Sequence, residues 1–350
     1  MGNLGLRSIN GVAAPPFTKG PYTWDQFVNF SGGFGGVVTD GEIRYVSQKT
    51  GKDGNDGKSW SSAKLTIQSA IDSLPGNQVG ESSNLSQCDV VLVAPGKYTE
   101  NVYIAGRTAS GGVVTVKGHD GLKLIAVSPG WETRIRVNDA ATKYALPGGG
   151  VHTDQTATGI VVMARSVEIA GFCIDGDSAA YCGIYAGDGV RPAFRTGSGG
   201  NASSLHVHDC LFQKGGYGVL LDGAGSFCLI ENNIFNQLTY AGVDVCPGGG
   251  RQTERPVIKN NVFYHANAGY GVDMYNANGT VGIAVINNAF FDGTSLACAA
   301  PVRFQGTGVH IMTGNLLACT AAPTGAATDF GSGNTEMANK LDAPTYLTEA

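Results

Sequence analysis

Four short strings in the second half of the chain, Glu231–Phe235 (ENNIF), Lys259–Phe263 (KNNVF), Ile286–Phe290 (INNAF) and Thr313–Leu317 (TGNLL), share one arrangement: an asparagine two places before a large apolar residue. Their final residues are 28, 27 and 27 positions apart. A period of about 20 to 30 residues with an apolar position in phase marks a solenoid, because one turn of chain buries its hydrophobic residue only by stacking on the next turn. Extended backwards, the column becomes Ile174, Phe212, Phe235, Phe263, Phe290 and Leu317. Its first step, of 38 residues, is longer than the others, and the surplus reads as the glycine-rich stretch Gly187–Asn201 bulging from a corner.

A second strand follows the column in each turn: Gly183-Ile184-Tyr185, Gly218-Val219-Leu220, Gly242-Val243-Asp244, Gly271-Val272-Asp273 and Pro301-Val302-Arg303. Strand side chains alternate faces, so the middle residue of each triplet (Ile184, Val219, Val243, Val272, Val302) points inward and the third outward. Parallel strands stack about 4.8 Å apart and their connections are normally right-handed. The expected fold is therefore all-β, a single-stranded right-handed parallel β-helix over residues 41–335, about ten turns and roughly 50 Å tall. Asn233, Asn261, Asn288 and Asn315 are expected at one corner as a structural ladder of stacked amides.

Composition agrees with this reading. The chain has 53 Gly, 42% hydrophobic and only 15% charged residues, which suits short strands joined by tight turns. At 350 residues two domains would be usual, but a solenoid grows in one direction without a second core. A net charge of −5 with no basic block argues against a nucleic-acid partner. No apolar run approaches the ~18 residues that span a bilayer, and the first residues lack the basic-then-apolar pattern of an export signal, so membrane insertion and export are not expected. Cys173, Cys210 and Cys228 fall in apolar strand strings and read as packed free thiols. His206, His208 and Asp209 alternate along a strand rather than forming a metal set, and Asp53, Asn55 and Asp56 read as a turn, so neither a metal nor a cofactor is expected.

Upstream of the repeat, Ile43–Val46 and Val90–Val93 read as strands, as do Val113–Val116, Leu122–Val127, Ile160–Met163 and Val167–Ile169, with Ala94–Tyr98 (APGKY) a turn between them. An amphipathic helix from about 63 to 74 places Ile67, Ala70, Ile71 and Leu74 on one face and caps the solenoid. Residues 1–40 have no period. They carry Phe17, Tyr22, Trp24, Phe27 and Phe30 among polar residues and read as an extended arm whose aromatics dock on a partner. Residues 336–350 are a short tail.

The run RYVSQKTGKDGNDGKSW, then LTIQSAIDSL and VVLVAPGKYTENVYI, followed by the NN-x-F turns, resembles the pectate-lyase-like β-helix superfamily, common in polysaccharide-active enzymes and phage tailspikes. The resemblance covers roughly residues 43–335. It implies an N-terminal capping helix and, for phage proteins, frequent trimers. It is specific for fold and nearly silent about chemistry. Enzymes of this superfamily work on the outer face of one sheet, and the best outer stack here is Asp244, Asp273 and Arg303. Two carboxylates on adjacent turns have the spacing of a retaining glycosidase, but an Asp–Asp–Arg stack is also an ordinary solvated ion ladder. Arg191, Arg195, Arg251 and Arg255, on two loops of one corner, read as a basic lip for an acidic partner or a neighbouring subunit, or as ordinary solvated loops. Asp175, Asp177, Asp188 and Asp222 lie beside glycines and read as turn residues.

Three functions follow. The favoured one is a phage virion structural protein: a trimeric, capsid-decorating β-helix without an active site, assembled in the host cytoplasm and held to other virion proteins by its arm. The alternatives are a tailspike-type glycan depolymerase or polysaccharide lyase using Asp244, Asp273 and Arg303 on host surface glycan, and a non-catalytic glycan-binding adhesin.

Overall fold

The computed structural model describes residues 41–75, 88–104, 118–137, 157–176, 182–187, 202–222, 225–246, 253–264, 269–274, 282–292, 299–304, 310–325 and 335–336. The expected arm and tail, and the expected strand Val113–Val116, lie outside these residues. The described strands pair in parallel and occupy three faces. The first face runs through Ile43–Val46, Val90–Val93, the starts of Lys123–Arg136 and Glu168–Asp175, then His206–His208, Leu229–Glu231, Val257–Lys259, Ala284–Ile286 and Ile311–Thr313. The second takes Gly96–Thr99, the ends of Lys123–Arg136 and Glu168–Asp175, the starts of Leu211–Asp222 and Ile234–Cys246, then Val262–Tyr264, Ala289–Phe291, Leu316–Ala318 and Thr335–Glu336. The third takes Val102–Ile104, Thr158–Val162, Cys182–Gly187, the ends of Leu211–Asp222 and Ile234–Cys246, then Tyr270–Met274, Ala300–Phe304 and Thr324–Gly325. The chain visits the faces in rotation, and each strand pairs with its counterpart one coil away. This is a parallel β-helix.

Both sequence columns are in register. On the second face Ile174, Phe212, Phe235, Phe263, Phe290 and Leu317 are successive partners. The four phenylalanine rings stack with centroids 4.8, 4.8 and 4.7 Å apart, which is the coil spacing itself. On the third face Ile184, Val219, Val243, Val272 and Val302 pair likewise, and none of the five is exposed. Each such side chain contributes ~1.5–3 kcal/mol by leaving water, and only because the next coil covers it.

The glycine that opens four of the triplets has a steric cause. A Cβ at Gly242 would lie 2.5 Å from Cδ1 of Phe263, and one at Gly271 2.5 Å from Cδ1 of Phe290. At Gly218 the same atom would meet Phe235 at 2.6 Å. In each case the ring belongs to the next coil, so the third face is stripped of a side chain where the second face's aromatic ladder passes.

Corners are made by left-handed residues. Asn232, Asn260, Asn287 and Gly314 turn the chain from the first face to the second, with φ between 54° and 68°. The asparagine that follows each of the first three, and Asn315 after Gly314, is 1% exposed. Asn261 Oδ1 accepts the backbone N–H of Asn233 at 2.9 Å and its Nδ2 at 3.1 Å, while Asn261 Nδ2 donates to the Ile230 carbonyl at 2.9 Å. Asn288 and Asn315 repeat the pattern, and Asn233 Oδ1 takes the N–H of Cys210. The amides satisfy the main-chain donors that a sharp corner leaves without a strand partner.

The helix is shorter than expected, Ile67–Asp72. Lys64 is claimed by the sheet: it bridges Val46, its N–H donates to the Tyr45 carbonyl and its carbonyl accepts from Ser47. Asp53 Oδ1 accepts the N–H groups of Leu65 and Thr66, and the Glu100 carboxylate accepts those of Ile67 and Gln68, so the helix start is satisfied from outside. The apolar face is as read from the sequence, with Ile67, Ala70, Ile71 and Leu74 fully buried. APGKY is only half a turn, since Gly96–Thr99 forms a strand that buries Tyr98.

Candidate functional site

The outward column of the third face is continuous: Tyr185, Leu220, Asp244, Asp273 and Arg303 are successive partners. The expectation that its charged end is an ordinary solvated ladder is corrected. Asp244 is 4% and Asp273 5% exposed, and the column begins in a buried apolar cluster of Val161, Met163, Cys182, Tyr185 and Leu220. Strand alternation fixes which way a side chain points, and this outer side is a second buried layer. Asp222, read as a turn residue, ends a strand on the same side, fully buried, and accepts from the Tyr185 hydroxyl at 2.9 Å.

Arg303 closes the column. Its Nε and Nη2 fork onto the two oxygens of Asp273 at 2.7 and 2.5 Å, and its guanidinium carbon lies 3.9 Å from the Tyr270 ring centroid. The bond to Asp273 holds the Arg303 pKa above its ordinary value. A bidentate fork of this kind uses both carboxylate oxygens, so Asp273 is held as a counter-ion rather than presented as a nucleophile. Asp244, one coil away, is its direct register partner.

The outer side of the first face carries a row of alternating charge. Lys123 pairs with Glu168 at 3.1 Å, Glu168 meets His208 Nε2 at 3.2 Å, and His208 Nδ1 meets Asp209 at 2.8 Å. His206 meets Glu231 at 2.8 Å, and Glu231 pairs with Lys259 at 3.0 Å. The imidazoles flank the buried Val207 and lie 4.3 Å apart. Hydrogen bonding to His208 is the main reason that the Glu168 pKa falls to about 2, and the same contact raises that of His208.

Sequence reading missed a groove of about 630 Å³ where the first face turns into the second, beside this row. It crosses several coils, from Ile125 through Ala170 and His208 to Ile234. One wall is Trp131, 54% exposed, with the Arg134 guanidinium 5.3 Å from its ring centroid. Trp131 stands on an excursion in Lys123–Arg136, whose pairing shifts register on either side of Gly130. The available signal was the string SPGWE, a turn dipeptide beside a tryptophan set among polar residues.

Phe17, Tyr22, Trp24, Phe27, Phe30, Arg191, Arg195 and Arg251 lie outside the described residues. Arg255 is exposed at a corner, in the left-handed conformation that Ser166, Ser204 and Phe227 also adopt. Cys173, Cys182, Cys210 and Cys228 are buried thiols, and burial pushes the pKa of Cys210 and Cys228 up to about 12. Among the described residues no helix is long and apolar enough to cross a membrane.

No family model and no curated protein matches the sequence. Among solved structures the chain is similar to XylC in complex with xylose (TM-score 0.46, 11% identity, 85% of this chain and 68% of that one). It is also similar to a mutant tailspike of the E. coli bacteriophage HK620 in complex with a pentasaccharide (0.49, 8%, 73% and 44%) and to the pectin methylesterase PemA from Erwinia chrysanthemi (0.42, 13%, 86% and 93%). The chain thus spans less than half of the tailspike chain. The fold of this chain rests on its own strand pairing.

Proposed function

We propose that this chain is the non-catalytic β-helical body of a virion surface protein. In this reading it is assembled in the host cytoplasm as a homotrimer that decorates the capsid, and residues 1–40 hold it to other virion proteins. The observation that carries the reading is the state of the best catalytic candidate: Asp273 is buried and forked by Arg303, so the group that would attack or deprotonate a sugar is spent as a structural ion pair. The continuous aromatic, valine and asparagine columns supply what a rigid post requires, since every coil braces its neighbour.

One observation favours a second reading, a glycan depolymerase or polysaccharide lyase. Asp244 and Asp273 are direct partners on adjacent coils, about 4.8 Å apart along the axis, which is near the carboxyl separation of a retaining glycosidase.

Particles carrying wild-type protein or the Asp244→Asn/Asp273→Asn double variant would be incubated with host surface polysaccharide, and new reducing ends or unsaturated ends counted. The scaffold reading expects none from either. Cleavage by wild type that the double variant lacks would overturn it in favour of the second reading. Deleting residues 1–40 should release a folded body from the particle; attachment without them would refute the anchor.

A further inference from the structure

We infer that His310 is an acid-sensitive latch, whose protonation opens the last coils of the solenoid while the coils before them stay closed. The residue just before each strand of the first face holds an inner position, aligned by main-chain bonds between coils. The N–H of Glu168 donates to the Leu122 carbonyl, that of His206 to Val167, that of Leu229 to Leu205 and that of Ile311 to Ile283. Leu122, Val167, Leu205, Cys228 and Ile283 fill this column, and none is more than 1% exposed. His310 takes the same place before Ile311–Thr313. Strand alternation agrees with its direction, since Ile311 is 50% exposed while His310 and Met312 are both at 0%.

An imidazole is a costly occupant of an apolar column. The ring lies parallel to that of Phe304, with an interplanar angle of 3° and centroids 5.0 Å apart, and neither of its nitrogens has a hydrogen-bond partner among the described residues. The neutral ring leaves one donor and one acceptor unsatisfied; the imidazolium would add a charge and a second orphaned donor. The ionisable groups of the surrounding strands do not relieve it. Arg303 forks onto Asp273 on the outer side of the third face, and its Nη1 donates to the Tyr270 hydroxyl. Ala284–Ile286, Ala289–Phe291, Ile311–Thr313 and Leu316–Ala318 carry no ionisable side chain. Burial is accordingly the one influence on the His310 pKa, and it lowers it.

A histidine whose folded pKa lies below the unfolded ~6.5 binds its proton less readily in the folded state, so stability is complete above that value and is lost as pH falls below it. His208 runs the other way, because hydrogen bonds to Glu168 and Asp209 raise its pKa and acid keeps its contacts charged. Falling pH therefore favours the middle coils and weakens the last ones. Position adds to the contrast. Phe304 pairs on its far side with Gly325, which brings no side chain to the column, and among the described residues no first-face strand follows Ile311–Thr313. Coils of a solenoid open from the end that has fewer neighbours.

The test is amide hydrogen exchange on the full chain at pH 7.5 and pH 5, corrected for the intrinsic pH dependence of exchange. In the wild type the amides of Val302, Phe304, Met312 and Leu317 should open about tenfold more often at pH 5, within the tenfold per pH unit that one proton permits below ~6.5. Those of Ile174 and Phe212 should not follow. His310→Leu restores the column's usual kind of residue and should abolish the rise; His310→Gln, polar without titrating, should be loosened alike at both pH values. The imidazole Cε1–H resonance that is missing from either variant reports the wild-type ring directly, and it should titrate below the ordinary histidine range. Titration at or above ~6.5 would overturn the inference, as would a rise under about threefold in the wild type, an equal rise in His310→Leu, or opening of early and late coils together. Should one variant fail to fold, the other assigns the resonance and the wild-type measurements still decide.

Discussion

The asparagine ladder can be tested at its second rung. Asn261 is 1% exposed and its side chain makes five contacts: Oδ1 accepts from the N–H and Nδ2 of Asn233, and Nδ2 donates to the carbonyls of Ile230 and Lys259 and to Asn288 Oδ1. Asn261→Ala leaves the buried N–H of Asn233 without that acceptor, which costs ~1–3 kcal/mol, and removes further bonds each worth about 1 kcal/mol net. Allowing for relaxation, a loss of about 3–5 kcal/mol is expected. Asn261→Asp is the sharper variant, because the groups that Nδ2 touches are all acceptors. An ionised carboxylate there faces oxygens with no proton to give, so its folded-state pKa must rise above the unfolded value of ~4. A raised acid pKa makes the penalty smallest below the unfolded pKa and larger as pH climbs through the folded one. Guanidinium unfolding of wild type and both variants at pH 4 and pH 7 should therefore show Asn261→Ala equally impaired at both, and Asn261→Asp worse at pH 7. An alanine deficit under about 1 kcal/mol, or an aspartate deficit that ignores pH, would refute the assignment of main-chain satisfaction to these amides.

Gly242→Ala should destabilise by about 1–3 kcal/mol or more, because its Cβ would sit 2.5 Å from the Phe263 ring, and Phe263→Leu in the same chain should recover part of the loss; additive losses in guanidinium unfolding would contradict the packing argument. The Glu168–His208 contact predicts a stability profile with two edges. The Glu168 pKa is depressed to about 2, so its share is present above the unfolded value of ~4.3 and is lost as pH falls towards 2. The His208 pKa is raised, so its share is complete below ~6.5 and is lost as pH rises through the folded value. The full Glu168 shift would be worth ~3 kcal/mol, but the carboxylate is a quarter exposed and screened, and about 1 kcal/mol is the realistic figure. Glu168→Gln should then cost about that much near pH 5.5 and almost nothing near pH 2, as read from denaturation midpoints; a uniform loss would show that the contact is not electrostatic.

What recurs in this chain was legible in its sequence. Phe235, Phe263 and Phe290 announce both the coil length and the register, since a one-residue slip would turn each ring from the core to solvent. The helix face could be read from Ile67, Ala70, Ile71 and Leu74, but its start could not, because Lys64 is taken by a strand bridge that no local pattern encodes. Gly218, Gly242 and Gly271 were visible as a column without a cause, which lies in rings 17, 21 and 19 residues further on that the fold stacks one coil away.

The outer column shows the limit of periodicity more clearly. Alternation placed Asp244, Asp273 and Arg303 on one line and on the outer side, and the structure keeps them there; it carried no information on whether that side is wet or dry. Trp131 escaped for the opposite reason, since it stands on an excursion at Gly130 that lies outside the repeated columns. In a solenoid the repeated positions are held by the packing of every neighbour, so a residue there can change only at the expense of several coils. A side chain that breaks the repeat is under no such restraint. Trp131 stands half in water at such a break with the Arg134 guanidinium against its ring, so its replacement should cost little in stability, unlike that of a ladder phenylalanine.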